Sequence, residues 1–200
     1  MSRRSLALAA GAGLVLWPGI AQAHLMTTGL GPVYDGISHF FLTFDDLLPV
    51  LAMAVLAGLN GPSASRRVLF VLPAAWLLGG MAGFALKVPF LPPGATALSF
   101  IVVGGLVALD RRLAPNVVAG LALALGLVHG WLNGAEIASA GREAMGLVGI
   151  GGAIFVLTAL VSALIVSLRR PWTRVVARVV GSWTAAIGLL LLGWTLSGRS

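Results

Sequence analysis

Residues 145–168 read MGLVGIGGAIFVLTALVSALIVSL, a run without one charged side chain. A helix needs about 20 such residues to cross the hydrocarbon of a bilayer, and a helix on the surface of a soluble protein would carry a polar face. The run therefore predicts a transmembrane helix, and the same reading repeats along the chain. Apolar stretches occupy 44–60, 68–86, 95–109, 116–134, 145–168 and 175–196. Short connectors rich in helix breakers separate them: Asn60-Gly61-Pro62, Pro89 with Pro92-Pro93-Gly94, Pro115, and Pro171. The third stretch is short for a bilayer, so its ends are expected to extend past 95 and 109. The expected fold class is all-α, a polytopic membrane bundle of about six transmembrane helices, at about 20 residues each, following a cleavable signal peptide.

Composition agrees. The chain is 58% hydrophobic and 10% charged, with a mean hydropathy of +1.01, whereas soluble domains carry roughly 25% charged residues. The formal net charge of +7 does not point to nucleic acid, because the basic residues form short clusters between apolar runs rather than a stripe interleaved with aromatics. Cysteine is absent, which excludes disulfides, thiolate metal sites and cysteine nucleophiles.

The N-terminus has the pattern of an export signal. Arg3 and Arg4 form a basic segment, Leu6 to Leu16 an apolar one, and Ala21-Gln22-Ala23 a small-residue cleavage site. The expected organisation is a signal peptide over 1–23 and a single transmembrane helical domain over 24–200, with His24 as the mature N-terminus. Cleavage leaves residue 24 outside. The inner loops then hold Arg66, Arg67, Arg111, Arg112, Arg169, Arg170, Arg174 and Arg178, and the outer segments only Lys87, Arg142 and Arg199. This asymmetry obeys the positive-inside rule, independently of the signal peptide. The expected location is the bacterial inner membrane, multi-pass, with the mature N-terminus outside.

The 27 glycines read as packing residues, since small side chains let helix backbones approach closely in lipid. Trp172 is placed for the inner interface.

Ionisable groups in or beside apolar spans are costly and by default suggest function. They cluster in two places: Asp35-Gly36-Ile37-Ser38-His39 with Thr43-Phe44-Asp45-Asp46, and His129-Gly130-Trp131-Leu132-Asn133-Gly134-Ala135-Glu136. By the orientation above, both lie toward the outer side. His129, Asn133 and Glu136 are spaced by four and three and share a helix face, as Asp35 and His39 would if their segment is helical. Pro49 cannot donate to the carbonyl four residues back, which frees the Asp45 oxygen. Imidazole nitrogen with carboxylate and carbonyl oxygens suits a divalent metal such as Ni, Co or Zn. Cu(I) is disfavoured, because Met26, Met53, Met81 and Met145 are scattered. Plainer readings stand beside this one. Thr43-x-x-Asp46 has the form of a capping box, and His129 can serve simply to bond a neighbouring helix. Asp35 and Glu143 fit as solvated loop charges, and Asp110 beside Arg111 and Arg112 as an interfacial one.

The segment His129-Gly130-x-x-x-Gly134-x-Glu136 resembles the HGxAxGxE motif of the HupE/UreJ family, small membrane proteins regarded as nickel or cobalt permeases linked to hydrogenase and urease maturation. The leader ending before a histidine and the six spans agree with that resemblance. The family's earlier motif, HPxxGxDH, is matched loosely by Gly31-Pro32-Val33-Tyr34-Asp35-Gly36-Ile37-Ser38-His39, where Gly31 replaces the first histidine, one residue is inserted, and Ser38 stands where aspartate is expected. The resemblance implies a permease for Ni²⁺ or Co²⁺ with His39, His129 and Glu136 as ligands and Asp45, Asp46 and Asn133 in support; Asp35 and His24 are further candidates. The implied partners are the bilayer, the metal ion as cargo, and metalloenzyme maturation proteins. The alternative is an accessory protein that binds metal or a partner without transport. No enzyme is expected, since Gly-x-Ser-x-Gly and His-Glu-x-x-His are both absent. No nucleotide-binding motif is present either, so any energy source is a gradient or a separate partner.

Overall fold

The structure is a computed structural model that describes residues 28–88, 94–168 and 171–198. The expected signal peptide and His24 lie outside these residues. Seven helices occur among the described residues: α1 (Pro32–Leu42), α2 (Phe44–Leu59), α3 (Pro62–Leu86), α4 (Ala95–Ala108), α5 (Pro115–Ser139), α6 (Met145–Ser167) and α7 (Pro171–Leu196). The chain is an all-α, multi-pass membrane protein. Helices α3, α5, α6 and α7 are each long and apolar enough to cross a bilayer, and α1 with α2, bent by 77° at their junction, are together long and apolar enough for a broken span or a re-entrant loop. Helix α4 is shorter. Its 14 residues reach about 21 Å at 1.5 Å per residue, and it stops at Ala108 rather than extending past 109 as expected.

The helix starts follow local chemistry. Pro opens α1, α3, α5 and α7, where its missing N–H is not needed and its fixed φ is already helical. Helix α1 is the element that hydropathy did not delimit. Gly31 precedes it at φ 106°, a backbone conformation that glycine adopts without strain. It ends where Thr43 turns extended and its N–H donates to the His39 carbonyl at 2.9 Å. The chain then restarts as α2 at the bend.

Three helix pairs close on glycine. Between α3 and α5, a methyl group on Gly79, Gly83, Gly130 or Gly134 would strike the carbonyl of Leu127, Trp131, Trp76 or Gly80 respectively. Gly36 and Gly149 do the same for α1 and α6, and Gly104, Gly181 and Gly188 for α4 and α7. In lipid there is little hydrophobic drive between helices, so this backbone-to-backbone contact is what holds the pairs. Helix α2 sits among all of them and touches each of the other six described helices. Its Val50, Met53, Leu56 and Ala57 are fully buried, consistent with a helix that is apolar on every side. That central position puts Asp46, in the first turn of α2, inside the protein.

Candidate functional site

Asp46 and His129 meet across the bundle. The Asp46 Oδ1 lies 2.8 Å from His129 Nδ1, and Asn133 Nδ2 donates to Asp46 Oδ2 at 2.8 Å. The same amide nitrogen donates to the His129 carbonyl at 3.0 Å. Both of its neighbours are acceptors, so the amide orientation follows from chemistry. His129 is 0% exposed, Asp46 4% and Asn133 4%. The Thr43 capping box does not form: Thr43 makes no side-chain cap bond, and the Asp46 carboxylate is spent on α5 instead.

The second ring nitrogen of His129 is also engaged. Ser99 Oγ on α4 lies 2.9 Å from Nε2 and 2.6 Å from the Thr96 carbonyl. A carbonyl only accepts, so the hydroxyl proton goes to Thr96, and Nε2 must carry the proton it donates to Ser99. One further proton then lies between Nδ1 and Asp46, giving either imidazolium with carboxylate or imidazole with carboxylic acid. Trp76 from α3 covers the ring, with centroids 5.5 Å apart and planes tilted by 30°. Phe40 of α1 packs edge-on against Trp76 at 6.3 Å.

Serine, histidine and aspartate in this order resemble a hydrolytic relay, yet two features oppose that chemistry. The Ser99 proton is directed away from the histidine. The Ser99 N–H lies within α4 and is used by the helix ladder, so it is not available to an oxyanion, where such donors carry much of the rate.

Other sequence candidates sit apart from this centre. His39 is buried, with Nδ1 3.5 Å from Thr43 Oγ1 and Nε2 without a partner. Asp45 precedes Asp46 on α2 but is exposed, as is Glu136 in the last turn of α5. Helix α5 runs unbroken through Gly130 and Gly134, because both glycines are used in the contact with α3. Glu136 therefore stays about 10.5 Å from His129 along the axis, seven residues at 1.5 Å each, too far for the two to hold one ion together. Asp35 belongs to the rim. Its Oδ1 accepts from the Thr28 N–H at 2.6 Å and the Thr28 hydroxyl at 2.7 Å, and Arg142 lies 3.7 Å from Oδ2. Among the described residues, no three His, Asp or Glu side chains converge as a metal-binding group.

Buried polar atoms without partners include His39 Nε2, Trp76 Nε1 and Asn133 Oδ1, the last on the amide that holds Asp46. Sequence reasoning missed Ser99 and Trp76. The only signal for Ser99 was a hydroxyl inside an apolar run, and Trp76 was indistinguishable from a packing tryptophan.

Comparison with known proteins places these residues in context. A family model described as HupE / UreJ protein matches residues 12–191. The protein named HupE from Rhizobium leguminosarum bv. viciae is 29% identical over 181 residues, spanning 88% of this chain and 91% of that protein. No solved structure matches.

Proposed function

Since the chain belongs to the HupE/UreJ family, we propose that it is a permease for a divalent transition-metal ion, Ni²⁺ or Co²⁺, in the bacterial inner membrane with its mature N-terminus outside. The observation that carries this reading is the buried Asp46–His129–Asn133 centre on the central helix and its neighbour. A carboxylate and an imidazole are rarely placed inside a membrane bundle without a functional reason. Together they offer the oxygen and nitrogen donors that such ions take. Asn133 Oδ1, buried and unpartnered, adds a neutral oxygen beside them.

The family motif gains from the geometry. Set at Gly31–His39, the pattern HPxxGxDH needs an insertion. Started at His39 it needs none, and His39-Phe40-Phe41-Leu42-Thr43-Phe44-Asp45-Asp46 keeps the first histidine and the aspartate in place. Asp46 then stands where the family has its last histidine, opposite His129 of the second motif. Exposed Glu136 and Asp45, with buried His39, serve as separate stations leading to the Asp46–His129 centre, rather than as one closed ligand shell. A metal taking His129 Nδ1 and Asp46 must displace the proton they share.

One observation favours the second reading, a membrane accessory protein without transport. Both His129 nitrogens are already hydrogen-bonded within the protein. Metal accumulation by vesicles reconstituted with the full-length protein separates the two. A permease fills the lumen with Ni²⁺ or Co²⁺ above protein-free vesicles and discriminates against Mg²⁺. An accessory protein binds stoichiometrically and leaves the lumen empty.

A further inference from the structure

The arginine-rich end of the bundle contains a cavity of about 500 Å³. It forms where the ends of α2 and α6 meet the starts of α3 and α7 and the α4–α5 connector. Its walls divide by chemistry. Leu59, Ile165 and Leu168 supply an apolar side, while Arg112, Thr173 and Arg174 supply a polar one, and no carboxylate lines it. Arg174 pairs through one guanidinium nitrogen with Asp110 at 3.3 Å, leaving the rest of its fork of donors. Arg112 pairs with no carboxylate among the described residues. Helix α3 begins at the same cavity, at Gly61 and Pro62, with no side-chain cap on its first N–H groups. Its positive dipole end adds to the two guanidinium charges.

Asp110 offsets one of the two guanidinium charges, so Arg112 and the start of α3 leave the concavity with a net positive charge that an anion would balance. Arginine forks suit the planar, paired oxygens of phosphate. Basic pockets between transmembrane helices at a membrane surface are suited to anionic head groups. Inorganic phosphate would satisfy the charges but leave the apolar wall without purpose; a phospholipid occupies both, with its phosphate on the arginines and its first acyl methylenes on Leu59, Ile165 and Leu168. We propose that this cavity holds the phosphate of an anionic phospholipid, which joins the ends of α2 and α6 to the starts of α3 and α7 at the arginine-rich face. The site is separate from the Asp46–His129 centre and does not depend on what the protein transports.

Native mass spectrometry of the full-length protein released from micelles tests this, with phosphatidylglycerol, phosphatidylcholine or inorganic phosphate added. The wild type should retain one phosphatidylglycerol in preference to phosphatidylcholine. Arg112→Gln, which leaves the Arg174–Asp110 pair intact, should weaken that retention roughly tenfold, the equivalent of one charge-assisted hydrogen bond. Arg66→Gln, at the same end but outside the cavity, should retain it as the wild type does. Equal retention of the two lipids, or unchanged retention in Arg112→Gln, overturns the proposal. An equal loss in Arg66→Gln also overturns it, by showing a diffuse charge effect. Binding of inorganic phosphate that displaces the lipid at equal concentration assigns the cavity to the free ion instead.

Discussion

His129 and Glu136 lie on the same face of α5, two turns apart, yet one is fully buried and bonded at both ring nitrogens while the other is exposed. Asp46 and Asp35 differ in a related way across the α1–α2 bend, the first buried and the second half-buried. Asp46 is locked between His129 and Asn133, whereas Asp35 meets Thr28 and, at 3.7 Å, Arg142 at the rim. The difference shows that position in the bundle, not residue type, decides what a polar group costs. An exposed charge keeps its water and gains little from a partner. A buried one must be bonded by the protein, and its removal strands whatever it was bonding.

The comparison can be broken most sharply at Asp46. Asp46→Ala leaves the His129 imidazole buried without its partner and should destabilise the protein by about 3 kcal/mol, seen as an earlier unfolding midpoint in sodium dodecyl sulfate. The double variant Asp46→Ala/His129→Leu removes both polar groups and should recover most of that loss, because an apolar pair in place of a buried ion pair is often neutral. If the double variant is as unstable as the single one, the cost belongs to packing and not to the stranded imidazole.

Asn133→Leu should come next. It removes the donor to Asp46 Oδ2 and to the His129 carbonyl, at a cost of about 1 kcal/mol by the same unfolding assay, since polar groups in a bilayer find other partners when one is lost. Asp35→Asn, at the rim, should leave the midpoint unchanged within error. A shift as large as that of Asn133→Leu would show that the rim network is as consequential as the buried one.

Much of this fold was legible because hydropathy reports burial in lipid directly. Residues 145–168 gave α6 to within one residue and 116–134 gave α5 without its last five, and the connector prolines Pro62, Pro115 and Pro171 marked the starts of α3, α5 and α7. Helix α1 was harder, since Pro32–Leu42 mixes Tyr34, Asp35 and Ser38 with apolar residues and is too short to read as a span. The site was legible as two clusters but not as a contact. Spacing along α5 puts His129, Asn133 and Glu136 on one face, yet periodicity carries no information on depth, which separates His129 from Glu136. Nor does it reveal that Gly130 and Gly134 are needed against α3 and therefore cannot kink α5. Asp46 carries two readings in the sequence, a supporting ligand and, because Thr43-x-x-Asp46 has that form, a capping residue; only the central placement of α2 turns its carboxylate toward α5.

The central claim is that the buried Asp46–His129 pair carries the metal, and it is tested by the initial rate of Ni²⁺ or Co²⁺ accumulation in vesicles containing wild type, Asp46→Asn, His129→Ala or Glu136→Gln at equal inserted amounts. The account predicts that the two buried-site variants fall to the rate of protein-free vesicles, with Glu136→Gln reduced but active. Accumulation at the wild-type rate by correctly inserted Asp46→Asn and His129→Ala would contradict it.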